Sequence, residues 1–166
     1  MTSYIISRCN ALKNCKHFIT GEEANSFLCS SNYLRWASTI NRETKTLASR
    51  INWGSPRINR QYMNECYNVL DELMNTCPPV NQSFIAFRRG KIEEKERPYI
   101  SASLLKSVAD RFKGPLNIIL IPQNSIVYPS YISSGARVSN DEYEIIIDNR
   151  CYSHHFWYIE YKRIKC

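Results

Sequence analysis

The chain has 166 residues, 43% of them hydrophobic and 22% charged, which is enough for one self-sufficient core and too apolar for a disordered or low-complexity protein. A formal net charge of +7 and a pI near 9.1 favour an acidic partner, be it nucleic acid, a phosphate-rich ligand or an acidic protein surface; the basic residues are spread along the chain and form no single run. The longest apolar runs, such as 116–122, fall far short of a membrane span, and Met1-Thr2-Ser3-Tyr4 lacks a charged-then-apolar signal pattern, so a soluble cytoplasmic protein without a membrane partner is expected.

Thr20-Gly21-Glu22-Glu23 has the pattern of a capping box, in which the threonine hydroxyl covers an early backbone N–H and Glu23 reaches back. A short helix with Ala24, Phe27 and Leu28 inward is expected to follow. From Asn32, apolar residues recur at Tyr33, Trp36, Ala37, Ile40, Leu47 and Ile51 with helical spacing. Trp53-Gly54-Ser55-Pro56 reads as a break. Tyr62, Cys66, Val69, Leu70, Leu73 and Met74 then mark a further helix, closed by Pro78-Pro79 because proline cannot continue the backbone ladder.

From residue 81 the pattern changes. Ser83 to Arg88 reads as a strand of aromatic and branched residues, 91–97 as a charged solvated loop, and Pro98 to Ser103 as a strand entered through proline. Leu104, Leu105, Val108, Ala109 and Phe112 fall on one helical face stopped by Gly114-Pro115, and Leu116 to Ile121 is a buried strand. A polar loop, 133–141, leads into Glu142-Tyr143-Glu144-Ile145-Ile146-Ile147, and Phe156 to Ile164 alternates as a last strand. Helices over 1–80 and strands over 81–166 make one α+β domain with a largely antiparallel sheet system.

Seven cysteines, at 9, 15, 29, 66, 77, 151 and 166, are an odd number without Cys-x-x-Cys spacing; reduced thiols are expected, with neither a disulfide framework nor a zinc ribbon. Cys9, Cys15 and His17 lack a fourth ligand at suitable spacing, and His154-His155 has no partner at ligand spacing, so no metal is expected.

Glu142 and Glu144 enter an apolar strand two residues apart, and in a strand i and i+2 share a face. Two neighbouring carboxylates repel each other, which suits them to divided acid/base and charge-stabilising work. A solvated strand edge carrying two acids is the plainer alternative for this triplet taken alone.

Three blocks in order change that balance: Phe87-Arg88-Arg89-Gly90; Tyr99-Ile100-Ser101-Ala102-Ser103 with its following helix; and Glu142-Tyr143-Glu144 running into isoleucines. In this combination, with the helical lead-in, residues 20–166 resemble a mono-ADP-ribosyltransferase of the Arg–Ser–Glu group, which includes arginine-modifying bacterial toxins and small phage enzymes. The resemblance implies a helical part packed on a mostly antiparallel two-sheet β core with an NAD cleft. NAD is the implied substrate, with no metal, and a protein arginine the implied acceptor, in the host cytosol if the chain is a viral product or effector.

The resemblance also assigns roles. Cleavage of the nicotinamide–ribose bond passes through an oxocarbenium-like state that calls for a fixed carboxylate, here Glu144. Glu142 would orient the incoming guanidinium and take its proton. Arg88, or its neighbour Arg89 depending on strand register, would hold the diphosphate through a forked donor. Ser101 would hold Glu144 in orientation, and Ser103 would support the strand and the nicotinamide side. Two departures stand out: Ala102 replaces the usual threonine, and 133–141 lacks the aromatic that many relatives place before the first glutamate. The competing readings are an NAD glycohydrolase, in which water replaces the acceptor, and a basic nucleic-acid-binding module using arginines and tyrosines. A nucleic-acid-associated acceptor would reconcile the charge with the transferase. A monomer is expected.

Overall fold

The computed structural model describes residues 12–49, 60–92, 97–130, 141–154 and 158–164. Helix α1 (Gly21–Leu28) starts at the anticipated capping box: Glu23 N donates to Thr20 Oγ1 at 3.2 Å, and the Glu23 carboxylate accepts from Thr20 N at 3.4 Å. Ile19 N and Lys16 Nζ also donate to that carboxylate, at 2.9 and 3.0 Å. These donors, the Ile19 backbone foremost and then Lys16, hold the Glu23 carboxyl down at about 2. Ala24 and Leu28 are buried, and Phe27 packs on the core from a half-buried position.

The helical spacing that starts at Asn32 resolves into two helices, α2 (Ser31–Ser38) and α3 (Arg42–Ser49). Polar side chains cause the break. Thr39 Oγ1 donates back to Trp36 O at 2.7 Å, and Asn41 Oδ1 accepts from Thr44 N at 2.8 Å, which caps the second helix. Helix α4 (Arg60–Thr76) buries Cys66, Leu70, Leu73 and Met74 as its spacing implies. Ile51 and the break at 53–56 lie outside the described residues.

The described strands are β1 (Phe84–Arg89), β2 (Tyr99–Ser103), β3 (Leu116–Ile121), β4 (Tyr128–Pro129), β5 (Glu144–Asp148), β6 (Tyr152–His154) and β7 (Ile159–Tyr161). They form one seven-stranded sheet in the order β4-β5-β2-β1-β3-β7-β6, which corrects the expected two-sheet core. The reason is that β1 pairs on both edges, with β2 and with β3, and β3 takes β7 as a parallel neighbour. The strands that would have made two layers are therefore joined side by side. The other pairings are antiparallel, so the sheet is mixed. The tail of the expected last strand, 162–164, lies past β7, and 155–157 fall outside the described residues.

The helix after β2, α5 (Lys106–Ala109), is shorter than its apolar spacing suggests. Arg111 N and Phe112 N close turns on Val108 O and Ala109 O, both at 3.1 Å, and Phe112 is 57% exposed. Gly114, at φ +107°, then passes so close to Gly90 that a Cβ there would lie 3.0 Å from the Gly90 Cα. Glycine at 114 is thus required by both backbone angle and close approach.

Alternation along β1 divides two apolar clusters. Phe84 and Ala86 belong to the main core with α1 to α4, whereas Ile85 and Phe87 pack in a smaller cluster with Ala109, Leu116 and Ile118. Cys66 and Cys77 are buried thiols, and Cys77 Sγ donates to Val127 O at 3.2 Å. Tyr128 is fully buried, edge-on to Trp36, and both act as packing residues.

The far end of β5 carries a charged clasp. Asp148 is 2% exposed; its carboxylate accepts from Arg150 Nε at 2.8 Å and from Arg163 Nη1 at 2.6 Å. Arg150 Nη2 also donates to Asp71 Oδ1 at 3.0 Å, and the Tyr99 hydroxyl, on the neighbouring strand, donates to the same carboxylate. Burial alone would raise the Asp148 carboxyl, but hydrogen bonds from the Arg150 side chain and backbone, with the Arg150 and Arg163 charges, hold it below the ordinary range. Burial raises the Tyr99 hydroxyl, with the Asp71 carboxylate adding to it.

Candidate active site

Three adjacent strands, β1, β2 and β5, carry five of the six residues singled out in the sequence, and Glu142 lies just ahead of β5. Arg88, half-buried near the end of β1, donates from Nη1 to Ser101 O at 2.8 Å. Its neighbour faces the other way. Arg89 donates to Asp110 Oδ1 from Nε at 3.0 Å and Nη2 at 2.8 Å, and from Nη1 to Gly114 O at 3.0 Å. Lys106 Nζ shares Asp110 at 2.6 Å. Hydrogen bonds from Lys106 and then Arg89 hold the Asp110 carboxyl low. Strand alternation thus sends Arg88 towards β2 and commits Arg89 to the end of α5.

Strand β2 runs antiparallel to β5 with Ser103 across from Glu144 and Ser101 across from Ile146. Ser103 is 8% exposed, and its hydroxyl works on backbone: Oγ donates to Glu142 O at 2.8 Å and accepts from Leu105 N at 3.1 Å.

The two glutamates do not stand side by side on one strand, as simple alternation would place them. Strand β5 starts at Glu144, and Tyr143 has φ +45°, a left-handed conformation that a bulky residue adopts only where its surroundings enforce it. Here the enforcement is visible on both sides. Leu104 N donates to Tyr143 O at 3.1 Å and Ser103 holds Glu142 O, while the Tyr143 ring lies over Gly21 at the start of α1. A methyl group at position 21 would come within 2.7 Å of Tyr143 Cζ and closer still to its hydroxyl. Gly21→Ala is expected to lose about 1 kcal/mol, since overpacking at ~1–3 kcal/mol exceeds the ~1 kcal/mol that alanine returns to a helix. The urea midpoint reads this directly.

Glu144 itself is half-buried, and its Oε2 accepts from the hydroxyl of Ser130 at 2.6 Å. Ser130 was not among the residues marked by sequence. It follows β4, a two-residue strand too short to leave a periodic signal. A buried serine next to a proline-ended strand that pairs with β5 is recognisable only once Tyr128↔Ile146 and Pro129↔Ile145 are paired.

A cavity of about 550 Å³ opens elsewhere, lined by Lys16, Glu23, Phe27, Tyr33, Pro79 and Gln82 among others; it touches none of the six candidate residues. Among the described residues no group of three or more histidines, cysteines or acids could hold a metal ion. Nor is any described helix long and apolar enough to cross a membrane. His155, Tyr131 and most of the 133–141 loop lie outside the described residues.

No family model and no curated protein matches the sequence. By structure, the chain is similar to Plx2a, an ADP-ribosyltransferase toxin from Paenibacillus larvae, at a TM-score of 0.60 and 17% identity over 89% of this chain and 97% of that one. It is also similar to C3stau2 from S. aureus, solved with NAD, at a TM-score of 0.56 and 12% identity over 91% of this chain and 98% of that one. The chain therefore has the ADP-ribosyltransferase fold.

Proposed function

We propose that the protein is a mono-ADP-ribosyltransferase that moves ADP-ribose from NAD to an arginine side chain of a target protein and releases nicotinamide. The observation that carries the reading is the convergence of Arg88, Ser101 and Ser103 with the Glu142–Glu144 turn on neighbouring strands of an ADP-ribosyltransferase fold. The neighbour C3stau2, solved with NAD, supports NAD as the substrate.

In this reading Arg88 binds the diphosphate, because its guanidinium turns towards β2 and meets Ser101 O, whereas that of Arg89 turns away to Asp110. The bond between ribose C1 and the nicotinamide nitrogen breaks, and nicotinamide leaves with the bonding electron pair. Positive charge builds up on the ribose, and the fixed Glu144 carboxylate stabilises it. A guanidino nitrogen of the acceptor then bonds to C1, and its proton passes to Glu142. The Tyr143 turn would aim the two acids in different directions, one at the ribose and one at the acceptor.

Labelled NAD incubated with a cell extract tests the reading: label on protein, at arginine by mass spectrometry, supports it. Free ADP-ribose alone would instead indicate the glycohydrolase, and neither product would leave the nucleic-acid module. Glu142→Gln is expected to cut transfer to a guanidino acceptor about 100-fold while nicotinamide release stays within a few-fold of the unaltered protein, because only the second half of the reaction needs that proton acceptor. Equal loss of both would refute the division of labour between the acids.

A further inference from the structure

We propose that Ser130 is a positioning residue for Glu144, an inference that rests on the transferase reading for its catalytic consequence but not for the contact itself. Strand β4 pairs antiparallel with β5, Tyr128 opposite Ile146 and Pro129 opposite Ile145. One step further along that register brings Ser130 beside Glu144, and there the hydroxyl donates to Oε2 at 2.6 Å. That length is typical of a hydroxyl bonded to a charged carboxylate. Ser130 is 2% exposed, and a hydroxyl so buried requires a firm partner.

The neighbouring chain holds the serine in place. Tyr128 is fully buried and meets the Trp36 ring edge-on at 5.8 Å, which ties β4 to α2. Trp36 is tied in turn to α4, where its Nε1 donates to Thr76 Oγ1 at 3.0 Å. The hydroxyl is therefore presented by a packed element. Ser103, on the opposite flank of Glu144, has its oxygen engaged with the Glu142 carbonyl and the Leu105 amide. The two serines divide the work: Ser103 shapes the turn, and Ser130 orients the carboxylate. A carboxylate that must meet charge developing on a ribose acts best when it needs no reorientation at that moment.

The test compares the full chain with Ser130→Ala, which deletes the donor, and Ser130→Cys, which fills the volume with a poor donor. The expected result in both is a fall in kcat for nicotinamide release of about 10- to 100-fold, with KM for NAD and the melting temperature close to unaltered. In parallel, the pH midpoint of the Glu144 side-chain carboxyl ¹³C signal is expected to rise in both variants, because the hydroxyl favours the ionised form. An unchanged kcat with an unchanged carboxyl titration would overturn the proposal, as would a loss of kcat that only tracks a loss of folded protein. If the unaltered chain released no nicotinamide at all, the transferase reading would fall, and the carboxyl titration would still decide whether Ser130 anchors Glu144.

Discussion

Glu144→Gln is expected to slow nicotinamide release from NAD by about 100- to 1,000-fold, the scale seen when one preorganised electrostatic contact is removed from a reaction centre. The substitution is a clean one. Glutamine keeps the shape of the side chain, and its amide oxygen can accept the same hydrogen bond that Ser130 Oγ gives to Oε2. What is lost is the negative charge that would face the developing oxocarbenium ion. The melting temperature should therefore stay close to that of the unaltered protein while turnover collapses, and chromatographic assay of nicotinamide alongside a thermal scan separates the two. Turnover within a few-fold of normal would remove Glu144 from the mechanism and with it the proposed function.

The second large effect concerns stability. Asp148→Ala should cost about 3–5 kcal/mol, the range for removing one member of a buried ion pair. Two guanidinium groups lose the buried one of their acidic partners, and the Arg163 side chain is only 15% exposed. Because the clasp joins α4, β2, β5 and the segment after β7 through Asp71, Tyr99, Asp148 and Arg163, the loss should appear as a lower urea midpoint at an unchanged slope. A pH dependence follows from the same group. The Asp148 carboxyl is held below its ordinary value of 3.8 in the folded chain, so its contribution is complete above that value and disappears as the pH falls through the lower folded value. Acid titration of the unaltered chain should therefore show a stability loss in that window which Asp148→Ala lacks.

Much of this structure could be read from residue order. The Thr20–Glu23 cap, the inner face of α4 and strands β1, β2, β3 and β5 all carry local signals, a hydroxyl-to-glutamate spacing or a run of branched residues. Arg88 and Arg89 could not be told apart, because only the division of Phe84 and Ala86 from Ile85 and Phe87 between two clusters fixes which way each points. The single sheet was hidden for a similar reason: the parallel β3–β7 pairing links segments far apart in the chain. The Tyr143 turn was also invisible. A positive φ is announced by glycine or asparagine, whereas here a tyrosine is forced into it by residues 103, 104 and 21. Helix α5 ends at Ala109, short of the apolar spacing, and Phe112 at the end of that pattern is left 57% exposed.

The contact between Gly21 and the Tyr143 ring sets a limit on how far this fold could be miniaturised. A shortened version that kept the strands and dispensed with α1 would remove the wall against which the tyrosine is pressed. The left-handed turn would then be held from one side only, by Leu104 N and the Ser103 hydroxyl, and the spacing of the two acids would be less firmly set. Helix α1 thus braces the turn as well as filling the core.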